Sequence, residues 1–140
     1  MLGLRFLQRV SPRSKLGEPL KLLRRSLGLL ERLSRDLPKS VLDAIKIFLE
    51  NLVREIGEAE VYLFGSYARG DWIEGSDIDL IVISSKFRGM HIYDRMSMLR
   101  KIAPDTHGFE ILAYTPEEFE LVKHSSVIIK DASEYWIKLL

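Results

Sequence analysis

The sequence predicts an α/β (α+β) fold: a small β-sheet flanked by helices, with a helical extension at the N-terminus. Three observations carry this. Over residues 41–140, stretches with helical apolar spacing alternate with short apolar runs rich in Val, Ile and Leu. A Gly-Ser pair closes one such run and an Asp-x-Asp pair opens the next. Ahead of them, residues 19–37 repeat leucine at heptad spacing on an otherwise basic segment.

In chain order, residues 1–16 contain no acid and are rich in Arg and Ser. That composition overlaps with organellar transit peptides, and a basic N-terminal tail is the favoured reading. Arg5 and Arg9 break the apolar stretch, so a secretory leader is not expected. Pro19 suits the first position of a helix over 19–37. Leu20, Leu23, Leu27, Leu30 and Leu37 take the a/d positions, with Ser34 interrupting. The helix either packs on its own domain or offers a seam to a partner helix or a second copy. Ser40 is a candidate cap for the next helix, whose Leu42, Ile45, Phe48, Leu49, Leu52, Val53 and Ile56 trace one face up to Gly57. Strands are expected at 60–64, 77–84 and 106–114, with a helix over 91–102 closed by Pro104. Thr115-Pro116-Glu117-Glu118 reads as a capping box with proline at the first helical position. A further helical piece around 125–132 follows, and 134–140 reads as a short strand or a fraying helix.

The chain has 140 residues, 46% of them hydrophobic, which suits one compact core. No apolar run reaches the length of a membrane-spanning helix, and a cytoplasmic location is expected. Without cysteine there is no disulfide framework and no thiolate metal site. The net charge of +1 hides an asymmetry: residues 1–40 hold ten Lys/Arg and three Asp/Glu, against 11 and 17 in residues 41–140. We therefore divide the chain into a basic extension, 1–40, and an acidic domain, 41–140. An acidic site of this kind admits a Mg²⁺-bound nucleotide but repels a bare polyanion. The basic helix lacks the interleaved aromatics of a nucleic-acid platform, so nucleic acid is not a favoured partner.

The chemistry lies in three carboxylates. Asp77 and Asp79 point to the same face of one strand, with Cα atoms about 6.5–7 Å apart. Two carboxylates so spaced converge on hard cations, and Mg²⁺ favours a few carboxylates plus phosphate oxygens. Two Mg²⁺ ions would suit an in-line displacement. Glu110, on a neighbouring strand, either completes the metal site or accepts the proton of an acceptor hydroxyl. Gly65 lets backbone approach a phosphate, the Ser66 hydroxyl can bond a phosphate oxygen, and residues 66–69 are expected to start a short helix whose free N–H groups favour an anion. Arg69 lies one turn further on, within reach of the same phosphates. Taken singly, each feature has a plainer explanation: a turn, a solvated strand entrance, an edge-strand acid, an exposed arginine. Trp72 is expected to pack the loop rather than stack on a base. His91, His107 and His124 lack a second ligand at metal spacing and read as local polar residues.

The spacing Gly65-Ser66, ten residues, Asp77-x-Asp79, with Ala68-Arg69-Gly70-Asp71 between, resembles the signature of the DNA polymerase β-like nucleotidyltransferases. Its wording is most similar to the minimal nucleotidyltransferase (MNT) branch, and Glu110 to Phe119 resembles that branch's third-carboxylate strand and following helix. The resemblance covers roughly residues 41–140. It implies a mixed sheet in a nucleotidyltransferase core, with Asp77, Asp79 and Glu110 as catalytic and metal-binding residues and Gly65, Ser66 and Arg69 on the nucleotide. Glu110 departs from the Asp that many members carry. Residues 1–40 match nothing in the family core. The resemblance further implies transfer of AMP from ATP to a tyrosine of a HEPN-domain partner in a toxin–antitoxin pair. Transfer to a small molecule or an RNA end, and a non-catalytic antitoxin-like binding role, are the alternatives. So small a core is expected to borrow surface from that partner or from a second copy of itself.

Overall fold

The computed structural model describes residues 17–140; the expectations for residues 1–16 lie outside them. Helix α1 (Gly17–Arg32) runs into a 3₁₀ turn, Leu33–Arg35, and is followed by α2 (Lys39–Glu55), β1 (Glu60–Phe64) and a short α3 (Gly65–Arg69). Then come β2 (Ile78–Ile83), a 3₁₀ turn at Ser85–Phe87, α4 (Ile92–Ile102) and β3 (Phe109–Tyr114). The chain ends with α5 (Pro116–Ser125), α6 (Val127–Ala132) and β4 (Ile137–Lys138).

The four strands form one mixed sheet in the order β3-β2-β1-β4. β1 runs antiparallel to β2 and β4, whereas β2 and β3 are parallel, joined by the α4 crossover. Strand parity divides the core in two. Val61 and Leu63 of β1, Ile78, Leu80 and Val82 of β2, and Ile111 and Ala113 of β3 share the main cluster with α1, α2 and α4. Ile81 and Ile83 face the other way, onto Tyr62, Tyr114, Phe119, Ile129 and Trp136 beneath α5 and α6. Asp79 has the parity of Ile81, so its carboxylate lies on this second face, beyond the end of the aromatic cluster.

The leucine seam of residues 19–37 turns inward. Leu20, Leu23, Leu30 and Leu37 are buried in the main cluster beside Phe48, Leu49 and Leu52 of α2, and Leu27 packs on its margin. α1 is therefore helical because α2 and the sheet cover its apolar stripe, the usual source of stability for a short helix. The α-helix stops at Arg32 rather than 37, and the remaining turn tightens around Ser34.

Three further expectations are corrected. Ser40 does not cap α2: Pro38 holds the cap position with extended ψ, and its carbonyl accepts from Val41 and Leu42. The proline's fixed φ ends the preceding turn without a side-chain cap. β3 starts at Phe109, not Thr106, because Thr106 and His107 bond each other locally and only the Gly108 carbonyl, accepting from Ile78 N–H, joins the ladder. β2 starts at Ile78, leaving Asp77 in the loop before it.

The box at Thr115 forms as expected, with its hydroxyl accepting from Glu118 N–H at 3.1 Å. Glu118 also pairs with the buried Arg95 of α4 at 2.8 Å, and Arg95 donates to the carbonyls of Met90 and Ala113. This clasp joins α4, β3 and α5. Residues 134–140 resolve as a strand, not a helix, over Ile137–Lys138. No helix among the described residues is long and apolar enough to cross a membrane.

Candidate functional site

The three acids meet at one end of the sheet. Asp79, second in β2, pairs in register with Phe64 of β1 on one side and Glu110 of β3 on the other. The antiparallel and parallel pairings thus bring the end of β1 and the starts of β2 and β3 to one place. Asp77 precedes β2 on the same rim.

Each aspartate is seated over a glycine. Gly65, in the left-handed region at φ +73°, leaves the space into which Asp79 folds: a Cβ there would stand 1.8 Å from Asp79 Oδ2. A Cβ on Gly108 would stand 2.1 Å from Asp77 Oδ1. The Asp79 carboxylate thus approaches Gly65 closely. Gly108 was not singled out in the sequence. Its only signal there is a glycine directly before the strand that carries Glu110, where no turn requires one.

The electrostatics follow from this crowding. Burial pushes the Asp79 carboxyl up to about 6, helped by the negative charges of Glu110 and Asp77 and a hydrogen bond with Glu110, and opposed by Arg69. The Tyr67 phenol is also raised, by burial first and then by Asp77.

Among the described residues no group of three or more His, Cys, Asp or Glu is already gathered in metal-holding geometry. The donor set nonetheless fits a hard divalent cation. Its oxygens are all carboxylate, and the negative charge of Glu110 and Asp77, which adds to burial in raising Asp79, is what such a cation neutralises.

Beside Asp79, toward the β4 edge, opens a cavity of about 380 Å³ lined by Phe64, Gly65, Arg69, Asp79, Val127, Ile128, Asp131 and Tyr135. Ser66 and Arg69 stand along α3, which begins at Gly65 with no side-chain cap on its first N–H groups. Arg69 donates to Asp71 at 3.2 Å and to the Tyr135 hydroxyl at 3.0 Å. Its guanidinium also lies 5.3 Å from the Tyr135 ring centre. Tyr135 and the α6 residues of this cavity were not read from the sequence as parts of the site. They reach it only because β4 returns beside β1.

Trp72 stacks on Tyr67 with ring centres 5.7 Å apart and packs against the main core, as a loop-packing residue would. His91 caps α4 by accepting from Tyr93 N–H, and His107 bonds Thr106.

A mixed sheet thus gathers three acids at one end, beside the helix that begins at Gly65 and Ser66. Comparison with known proteins gives the family. The nucleotidyltransferase domain family matches residues 45–137, and the chain belongs to it. A Methanocaldococcus jannaschii protein, provisionally named a protein adenylyltransferase, is 42% identical over 57 residues, which are 39% of this chain and 38% of that protein. The chain thus spans well under half the length of that curated relative. A provisionally described nucleotidyltransferase from Sulfolobus solfataricus superposes with a TM-score of 0.49 at 21% identity, covering 86% of this chain and 84% of its own. A second crystal structure, also provisionally described as a nucleotidyltransferase, gives 0.45 at 28% identity over 56% of this chain and 86% of its own.

Proposed function

We propose that this nucleotidyltransferase is a Mg²⁺-dependent protein adenylyltransferase: it moves AMP from ATP to a hydroxyl of a partner protein. The observation that carries the reading is the register of Asp79 with Glu110 across β2 and β3, with Gly65 shaped around Asp79. The choice of a protein acceptor is supported by the name of the M. jannaschii relative. It is supported also by the likeness of residues 41–140 to the MNT branch, whose partner would be a helical HEPN-domain protein in a toxin–antitoxin pair.

In this reading Asp77 and Asp79 would hold Mg²⁺, in one or two ions, which would supply Lewis-acid stabilisation of phosphoryl charge. The uncapped N–H groups at the start of α3 and the Ser66 hydroxyl bind the β- and γ-phosphates, and Arg69 leaves Asp71 to join them. Glu110, the most exposed of the partners on β3, accepts the proton of the acceptor hydroxyl. The acceptor oxygen bonds the α-phosphorus, the bond to the bridging oxygen breaks, and pyrophosphate leaves from the α3 side.

The test mixes the purified protein, labelled ATP, Mg²⁺ and a co-expressed HEPN-type partner. Label on the partner that survives denaturation, and is absent with Asp77→Asn/Asp79→Asn, is the expected result. A tight complex whose partner is silenced without label, in wild type and double variant alike, refutes the enzymatic reading in favour of a binding role.

A further inference from the structure

We infer that α6 forms the nucleobase platform of this site, with Val127 and Ile128 as the residues that hold the base of the incoming nucleoside triphosphate. The inference rests on the nucleotidyl-transfer reading above and assigns the part of the substrate that the motif residues leave unheld. Gly65, Ser66 and Arg69 account for phosphates, and the carboxylates for the reacting centre; none of them offers an apolar surface to a flat heterocycle.

Topology divides the two sides of the reacting centre. Glu110 sits on β3, at one edge of the sheet, and α6 leads into β4 at the opposite edge, with Asp79 between them. If Glu110 serves the acceptor, the nucleoside must extend the other way, toward β4. The cavity there is continuous from Gly65 and Asp79 to α6. Its outer wall is Val127, 81% exposed, and Ile128, 62% exposed, while the next residue, Ile129, is 1% exposed and anchors the helix in the aromatic cluster. Two large aliphatic side chains thus stand in water on a short helix fixed from beneath. They border a cleft whose other walls are Phe64, Gly65, Tyr135 and the charged Arg69, Asp79 and Asp131.

An apolar shelf of this kind, next to a phosphate-binding turn, suits the face of a base. Burying apolar surface of the two side chains against a base contributes roughly 25 cal/mol per Å² covered. Asp131, one helical turn beyond Ile128, accepts from the Tyr135 hydroxyl at 3.5 Å and gives the rim a hydrogen-bond acceptor for a donor of the nucleoside. The side chains involved are exposed, so replacing them leaves the fold intact.

The experiment compares two probes by calorimetry in Mg²⁺: ATP, and inorganic tripolyphosphate, which keeps the phosphates and lacks the nucleoside. Wild type should bind ATP more tightly than tripolyphosphate. Val127→Ser/Ile128→Ser should weaken ATP about tenfold, equivalent to about 1.4 kcal/mol, and leave tripolyphosphate unchanged. Unchanged ATP affinity in the double variant, equal losses for both probes, or a wild type that binds them equally would overturn the platform while leaving the phosphate and metal site standing. A wild type that binds neither probe overturns the nucleotidyl-transfer reading, and the platform with it.

Discussion

Replacing Asp79 by Asn should stabilise the metal-free protein. In the folded state its carboxyl titrates at about 6 against an ordinary value of 3.8, because it is buried beside Glu110 and Asp77. The unfolded chain therefore releases this proton at lower pH than the folded one. Between about pH 4 and pH 6 the folded state binds more protons, so stability falls as pH rises through that window and stays low above it. The displacement of some two units corresponds to about 3 kcal/mol. The group is only partly shielded from solvent, and screening reduces this to about 1–2 kcal/mol. Asn keeps the shape, can donate to Glu110, and carries no charge.

Urea unfolding of wild type and Asp79→Asn in the presence of a chelator would measure the difference. We expect the variant to be more stable by about 1–2 kcal/mol near pH 8 and by little near pH 4. Added Mg²⁺ should narrow the gap at pH 8 by stabilising only the wild type. A variant no more stable than wild type at pH 8, or a gain of equal size at both pH values, would refute the argument that burying a charged Asp79 beside Glu110 and Asp77 opposes folding.

Four other outcomes are expected. Gly65→Ala puts a methyl 1.8 Å from Asp79 Oδ2 at a left-handed backbone position; thermal melting should show a loss of at least about 1–2 kcal/mol, and Mg²⁺-ATP binding should weaken. By contrast, Gly28→Ala, exposed in the middle of α1 with open space around it, should gain about 0.5–1 kcal/mol in the same melts. Glu110→Gln should lower the rate of AMP transfer at least a hundredfold, by the usual scale of general-base loss, with little change in ATP affinity by calorimetry; a parallel loss of affinity would make Glu110 a ground-state ligand instead. Leu23→Ala, at a side chain 1% exposed against α2, should cost about 2–4 kcal/mol in denaturant unfolding of the isolated protein, whereas a helix reserved for a partner would tolerate it.

Much of the fold was legible from local pattern. Apolar runs of strand length gave β1, β2 and β3 within a few residues, and Thr115-Pro116 with Glu118 fixed the start of α5, because caps and periodicities act over one or two turns. Pro38 shows the limit of such cues: a plausible Ser cap two residues along lost to a residue whose own φ already ended the turn. The leucine repeat of α1 was legible as an apolar stripe, but spacing alone does not say what covers it. Only the packing of Leu20, Leu23 and Leu30 against α2 decided that it faces the domain's own core.

The candidate site divides in the same way. The sequence by itself placed Asp77 and Asp79 two residues apart at the opening of a strand and Gly65, Ser66 and Arg69 along one turn; the shared face expected of the two aspartates rested on strand parity, which reaches Asp79 but not Asp77, because β2 begins at Ile78. Only the tertiary structure set Glu110 opposite Asp79, because register between parallel strands is decided by the α4 crossover and the core beneath it. It alone seated each aspartate over a glycine, Gly65 and Gly108 lying 14 and 31 residues from their partners in the chain. It alone brought Val127, Ile128, Asp131 and Tyr135 to the cleft, since their position depends on β4 adding to β1 at the far edge of the sheet. Contacts of that range leave no periodicity in a sequence; they exist only once the strands have paired.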